Sequence, residues 1–553
     1  MMRTRLLSIL LFIGIAISAM SMMGAVPSGV HNIKNSKKTR PKGGDIVVRH
    51  SDRISYDEAL MPGVQTFVGN VEFFHDGVVP KCDSANFFQE SNSFAAFDNV
   101  HLRQGDTLSL KCDYLFYDGN SQVAQARYRV VLRHRNSTLY TDSLDYDRLY
   151  SMGYFFEGGR LVDGSTNLTS DWGQYDAQTR QAVFNYNVEL QSPDYKMTTD
   201  TLYYNVLTKD AHSAGRSNVI SGTTNIYTEN GHFNTASDKA VLYNRSVVED
   251  KNRKIVADTI VYDKRLGTAE GFGDFVVNDD ANHTILTGDY CFYNDSTGYS
   301  LAHGRALLKN FAEPDTFFLH ADTLKILSYN LRTDSVYRVI HGYYHTRSFR
   351  EDVQSVADSL SFNTLERRLS LYGNPIVWNQ RNQIVGEEIH AFFNDSTIDS
   401  IQVINQALMC EQLDSINFNQ IASKEMHMYF TNGEIRESHA VQNVNINYFQ
   451  FDDKVKEDSI IVSMNHAETS LMKLYFQDKK VSHVWTAEAE GTYYPIIFVT
   501  PKLRYLDNFA WFDYIRPRDK YDLFEWRGKA ADKVLQKSQR REVPYQVLKK
   551  KKK

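Results

Sequence analysis

A seven-residue phrase returns along most of this chain, and it constrains the fold more tightly than any other feature. Its plainest copy is Ala257-Asp258-Thr259-Ile260-Val261-Tyr262-Asp263. Residues 141–147, 199–205, 321–327 and 357–363 repeat it, and looser copies surround Asp83, Asp113, Asp171 and Asp289. Asp83, Asp113, Asp142, Asp171 and Asp200 follow one another at intervals of 30, 29, 29 and 29 residues. A fixed period of this length signals stacked supersecondary units, none of which can bury its apolar face alone.

Alternate residues of a strand share a side. Asp113, Leu115 and Tyr117 therefore fall on one face, as do Asp142, Leu144 and Tyr146, then Asp200, Leu202 and Tyr204, then Asp258, Ile260 and Tyr262. Ser143, Thr201, Thr259, Thr323 and Ser359 occupy the other face and suit a wetted sheet surface. Turn residues follow each phrase, as in Asp118-Gly119-Asn120, and a second strand then closes on Gly-Asn-Val or a relative, as at 69–71, 98–100, 217–219 and 273–275. Strand, turn, strand is the unit, and the expected fold class is all-β: a repetitive antiparallel array. Its apolar stripe runs through Leu115, Tyr117, Leu144, Tyr146, Leu202, Tyr204, Ile260, Tyr262, Leu324, Ile326, Leu360 and Phe362. The stripe either lines a groove or forms a packed sandwich core. The aspartates recur at equivalent strand starts, so they read as turn or rim hydrogen-bonding groups; a catalytic pair needs one special place.

Such an array grows along one axis and is not limited by one round core, so 553 residues need not imply many domains. Hydrophobic residues at 42% with only 11 prolines exclude a disordered chain. Residues 1–25 begin with Arg3 and Arg5, continue through an apolar run and end in small residues, the form of a bacterial secretory signal. The run is also long enough for an uncleaved membrane anchor. Residues 26–44 read as a basic linker. The array is most regular over 45–215, legible over 216–400 and degenerate over 401–500. Residues 501–553 read as an aromatic cap over the last rung, a short basic helix and a lysine tail. An extra residue before Phe392 predicts a β-bulge there, and Pro375 predicts an edge, bulge or strand end. From Arg516 to Lys553 the chain carries +9 against −14 before it, so an anionic partner or a solvated end both fit the tail.

Four cysteines suit an oxidising compartment. Cys82 and Cys112 precede equivalent aspartates, so they either form a disulfide or fill the small-residue slot that Ala257, Ala321 and Ala357 take elsewhere. His341 and His345 have i, i+4 spacing but lack the glutamate of a zinc motif. No nucleophile elbow, phosphate loop or dinucleotide fingerprint is present. The chain is read as no enzyme, with no cofactor, no metal and no nucleic-acid partner.

The Asp-[Ser/Thr]-Leu-x-Tyr-[Asp/Asn] phrases, the Gly-Asn-Val segments, the phrase from Leu371 to Trp378 and the signal segment together resemble the OstA-like family, which is related to periplasmic lipopolysaccharide-transport bridge proteins. The resemblance is clearest over 45–215. It implies a β-jellyroll, an open V of two sheets whose apolar inside receives acyl chains, with molecules joined edge to edge. It also implies a periplasmic carrier of lipopolysaccharide or a related glycolipid, in contact with other transport-bridge or outer-membrane assembly proteins through sheet edges. A structural scaffold or adhesin without cargo is the main rival. A polysaccharide-acting β-solenoid enzyme would need a local acid or base cluster that breaks the repeat.

Overall fold

The computed structural model describes residues 44–529 apart from 235, 251–252, 264, 295, 313, 332, 334, 395–396, 453–459 and 479. The signal segment, nearly all of the basic linker, and the basic helix and lysine tail past Lys529 lie outside the described residues. The chain divides into two compact units between Gly273 and Asp274, within the strand Thr268–Asp279. Strands Asp210–Ser221 and Ile398–Gln412 run straight through the boundaries suggested at 215 and 400. Those boundaries tracked how regular the phrase is, which reports side-chain choice more than chain path.

In the first unit six long strands run up and down, each antiparallel to the next: Val64–Phe74, Val78–Phe88, Ser93–Gln104, Leu108–Asp118, Val123–His134 and Ser137–Asp147. Every one of them is bent at its middle. Residues 108–112 of Leu108–Asp118 pair with 100–104 on one side and 131–134 on the other, whereas residues 114–118 pair with 93–97 and 123–127. One strand thus serves two layers. We call the layer holding 114–118 the tyrosine layer and the layer holding 108–112 the valine layer, after their inward residues.

The bend is a two-residue corner. Asp98 and Asn99, Tyr128 and Arg129, and Tyr186 and Asn187 all have positive φ, and the ladder register slips across each pair. Successive left-handed residues are unfavourable for L side chains, and the repeat aspartate offsets the cost. Asn99 Nδ2 donates to Asp83 Oδ2 at 2.7 Å, Asn187 Nδ2 to Asp171 Oδ2 at 2.7 Å, the Arg129 amide to Asp142 Oδ1 at 3.0 Å and the Arg216 amide to Asp200 Oδ2 at 3.1 Å. At Gly215, with φ 88°, a Cβ would stand 2.6 Å from Asp200 Oδ2, so the carboxylate itself demands glycine.

Two expectations are corrected by this corner. Six of the aspartates, at 83, 113, 142, 200, 289 and 358, lie in the middle of long strands, whereas Asp171, Asp258 and Asp322 stand just before a strand start, and the Gly-Asn-Val segments turn the chain between layers inside a strand instead of closing one. At its other end the phrase finishes in an Asx turn: Asp118 Oδ1 accepts from the Asn120 amide at 2.9 Å, Asp176 from Gln178 at 2.8 Å and Asn205 from Leu207 at 2.9 Å. The seven residues are one half-strand, from corner to turn, across a single layer.

The second unit repeats the plan through Tyr337–Phe349, Val353–Asn363, Ile398–Gln412, Phe418–Thr431, Glu434–Phe451 and Ile461–Gln477. His345 pairs with Asp322 Oδ2 at 2.8 Å and Asn405 with Glu387 Oε2 at 3.1 Å at its corners. Pro375 lies between Arg368–Tyr372 and Ile376–Asn379, just past a corner, where it removes no ladder bond. The register does slip at Phe392/Phe393, with the extra residue, Asp399, on the partner strand.

Between Pro495 and Lys529 the chain forms the four-residue helix Pro501–Arg504 and short turns at Ile496–Phe498, Asp513–Ile515 and Asp522–Phe524. It does not cover the last rung. It returns through the interior of the second unit, because Leu506, Phe512 and Ile515 find apolar partners there. The ladder strand Lys480–Thr486 is left almost wholly exposed.

Candidate functional site: two β-lined interiors

All twelve residues of the expected stripe lie on the tyrosine layer, divided between the units. In the first unit Leu115, Tyr117, Leu144, Tyr146, Leu202, Tyr204, Ile260 and Tyr262 are buried. In the second Leu324 and Leu360 are buried, and Ile326 and Phe362 half-buried. The small residues facing them escaped sequence reasoning. Leu115 stands opposite Ala96 and Ala126, and Tyr146 opposite Ala124 and Gly153. Large against small lets the rows interdigitate at the density of a protein core. The spacing Ala124-x-Ala126 in the strand Val123–His134 carried that signal.

Side-chain clasps join the turn ends of the two layers in the first unit. The buried His75, at the end of a valine-layer strand, places Nδ1 2.8 Å from Tyr117 Oη. Arg148 donates from Nη1 to the same oxygen at 3.0 Å and from Nη2 to the Asp76 carbonyl at 2.7 Å. Further along, His134 Nδ1 lies 3.1 Å from Tyr175 Oη, and Lys209 Nζ lies 2.7 Å from Asp163 Oδ2. Burial pushes the Tyr117 and Tyr175 phenols up and pulls the His134 imidazole down. Burial alone would lower Lys209, but the hydrogen bond to Asp163 carries it above its ordinary value.

Behind the second clasp lies a cavity of about 30 Å³ lined by Leu132, Leu139, Leu144, Phe155, Leu161 and Phe184 among others. That space holds one or two waters, against the ~300–1,000 Å³ of a small-molecule site. In the first unit the stripe residues are buried against their neighbours.

Cys82 and Cys112 are both free thiols, which corrects the possible disulfide. The strand Ser93–Gln104 runs between theirs, pairing Val100 with Cys112 and His101 with Lys81. Two strand spacings are about 9.6 Å, beyond the ~7 Å Cα limit for a bridge. Burial pushes both thiols up to about 12.

The second interior is built differently. Across its valine layer Gln354 stands opposite Trp378, Trp378 opposite Gln383, Gln383 opposite Cys410, Cys410 opposite Gln420, and Gln420 opposite Asn447. Gln354, Gln383, Gln420 and Asn447 are all buried, and each binds the returning segment. The Phe512 amide donates to Gln383 Oε1 and Gln383 Nε2 donates to the Ala510 carbonyl, both at 2.8 Å. The Leu506 amide donates to Gln420 Oε1 and Gln420 Nε2 to the Arg504 carbonyl, both at 2.9 Å. Asn447 Nδ2 reaches the Leu503 carbonyl at 3.2 Å, and Arg516 Nε donates to Gln354 Oε1 at 2.8 Å. Val356, Ile376, Trp378, Val385 and Leu408 supply the apolar wall. The sequence does carry this row, as Gln354-x-Val356, Gln383-x-Val385 and Gln420-x-Ala422, one polar residue at an inward position of each otherwise apolar strand.

At the far end of the segment Phe524 meets the His320 ring edge at 4.9 Å, and Asp522 Oδ2 lies 3.7 Å from Arg347 Nη2. Among the described residues no group of three or more His, Cys, Asp or Glu could hold a metal ion, and no helix is long and apolar enough to cross a membrane. His341 stacks on Tyr343 while His345 sits in its corner, so the two do not converge.

Unit by unit, then, the molecule is an array of bent antiparallel strands around an apolar inside. Residues 44–200 match the model of the OstA-like protein family. Among solved structures the chain is similar to LptH, the LptA homologous periplasmic component of the conserved lipopolysaccharide transport device from Pseudomonas aeruginosa, with 19% identity over 20% of this chain and 76% of that one and a TM-score of 0.17. No curated protein matches the chain.

Proposed function

We propose that this protein is a non-enzymatic periplasmic carrier that shields the acyl chains of lipopolysaccharide or a related glycolipid and serves outer-membrane assembly. The observation that carries the reading is the inner stripe of the first unit, closed along one rim by polar side-chain clasps, of which those at Tyr117 and Tyr175 lie within the residues that match the OstA-like model. Each methylene moved out of water onto such a stripe is worth about 0.8 kcal/mol, and the hydrogen-bonded rim can open without breaking a ladder. The secretory form of residues 1–25 supports export to the periplasm. Among the described residues Val47–His50 and Arg53–Tyr56 each pair on one side only, with Val64–Phe74, which leaves edges for docking partner proteins.

A photoreactive phenylalanine analogue at Tyr146, on the stripe, and at Tyr140, exposed on the same strand, tests the reading in a lipopolysaccharide-producing host. Crosslinked glycolipid from position 146 and none from 140 is the expected outcome. A folded protein with no glycolipid adduct at either position would leave a cargo-free scaffold.

A further inference from the structure

The interior of the second unit already holds a ligand, and the ligand is the protein itself. Ladder pairing in this unit ends at Pro495. The segment that follows is held through side-chain amides and apolar contacts, so it can leave without unzipping a sheet. It also covers a group that it satisfies poorly. Arg347 is 1% exposed, and its Nε and Nη1 have no hydrogen-bond partner. Its Nη2 reaches only the Ile515 carbonyl at 3.5 Å and the Asp522 carboxylate at 3.7 Å, and Asp522 is itself shared with Arg527. A buried guanidinium with two free donor nitrogens is a site short of an anion. An apolar wall leads away from it past Ile376, Trp378 and Leu408.

We propose that the segment from Leu503 to Trp526 is a built-in competitor that stands in for an anionic acyl lipid in the second unit. The Asp522 carboxylate occupies the place of a phosphate at Arg347, while Ile515 and Phe512 occupy the place of the chain. A phosphate presents the several oxygens that the Arg347 fork lacks here. Lipid and segment exclude one another, so the second unit loads only when the segment is withdrawn. This inference rests on the carrier reading for its biological sense but makes a separate prediction.

Hydrogen exchange of residues 503–516 in the full-length protein is measured with monododecyl phosphate and, as the neutral probe of equal chain length, dodecyl maltoside. The phosphate is expected to speed exchange at the Leu506 and Phe512 amides by about tenfold or more, a shift of about 1.4 kcal/mol, and dodecyl maltoside much less. Arg347→Met should erase the difference between the two probes. Equal effects of both probes on the native protein, or a segment that neither displaces, would overturn the proposal. Gln383→Leu/Gln420→Leu serves as the second arm, since it weakens the segment without touching Arg347. If the loosened segment then exchanges quickly yet the protein takes up no more alkyl phosphate than before, the competitor idea fails. A segment that stays fully protected in that variant overturns it equally. Glycolipid crosslinked at position 146 with an undisplaced segment refutes this inference alone; displacement without any crosslink refutes the carrier reading alone.

Discussion

The two units use the same corner and the same turn, yet their interiors end differently. The first closes its inside by joining its own rims, through His75, Tyr117, Arg148, His134 and Tyr175. The second fills its inside with 503–516, received by Gln354, Gln383, Gln420 and Asn447. Backbone plan alone therefore does not decide what such an array holds. The inward residues of the valine layer decide it: Leu102, Leu110 and Leu132 in the first unit offer only apolar surface, whereas the amide row of the second reads a main chain.

The sharpest way to break this contrast is Trp378→Ala. Trp378 is fully buried in the middle of the row and donates to Gln383 Oε1 at 3.2 Å. Its truncation should cost about 3–5 kcal/mol in chemical denaturation and strip exchange protection from 503–516. Phe184→Ala in the first unit should cost a similar amount and leave the segment protected; equal protection in both variants would erase the distinction. Gln383→Leu comes next, orphaning the Phe512 amide and the Ala510 carbonyl at about 1–3 kcal/mol each, with the loss confined to the segment in exchange measurements. Tyr117→Phe removes one clasp and should cost about 1 kcal/mol, with faster exchange near His75 and none at 503–516.

The smallest effect is one of pH. Burial pulls Lys529 down to about 8, where its Nζ donates to the Asn374 carbonyl at 2.6 Å beside the Phe512 ring. A released Lys529 titrates near its ordinary value of about 10.4. Between these two values the released form binds more protons, so attachment strengthens as pH rises from about 8 to about 10.4 and is weakest below 8. After correction for intrinsic exchange rates, protection of Phe512 relative to amides of the first unit should rise over that window. Lys529→Met should flatten the trend.

The repeat, the strand class and the inward stripe were legible because each phrase occupies one half-strand and alternates cleanly from Leu115 to Tyr117. The two-layer path was not. Inward residues of Leu108–Asp118 run 108, 110, 112 and then 115, 117, so the alternation changes phase at the corner and a single period-two reading cannot follow the strand across it. Asp113 was placed on the face of Leu115 and Tyr117 for that reason. The clasps were hidden because their members lie 31 to 72 residues apart. The glutamine row was visible as three spaced residues, but its meaning needed the segment that fills it, more than 80 residues further on.

The corner has an arithmetical consequence. A full circuit of the chain, out across one layer, back, and across again, consumes a fixed number of residues and returns to the same phase with one strand pair added to each layer. Such a molecule can lengthen or shorten in whole quanta: removal of 29 residues from one Asx turn to the next, for instance from Asp118 to Asp147, restores every inward side chain to an inward place. One residue more or fewer must be taken up in a turn, as between Asp83 and Asp113, or half a layer would face outward. Length in this architecture is a countable inheritance, one that duplication can alter while folding rules stay untouched.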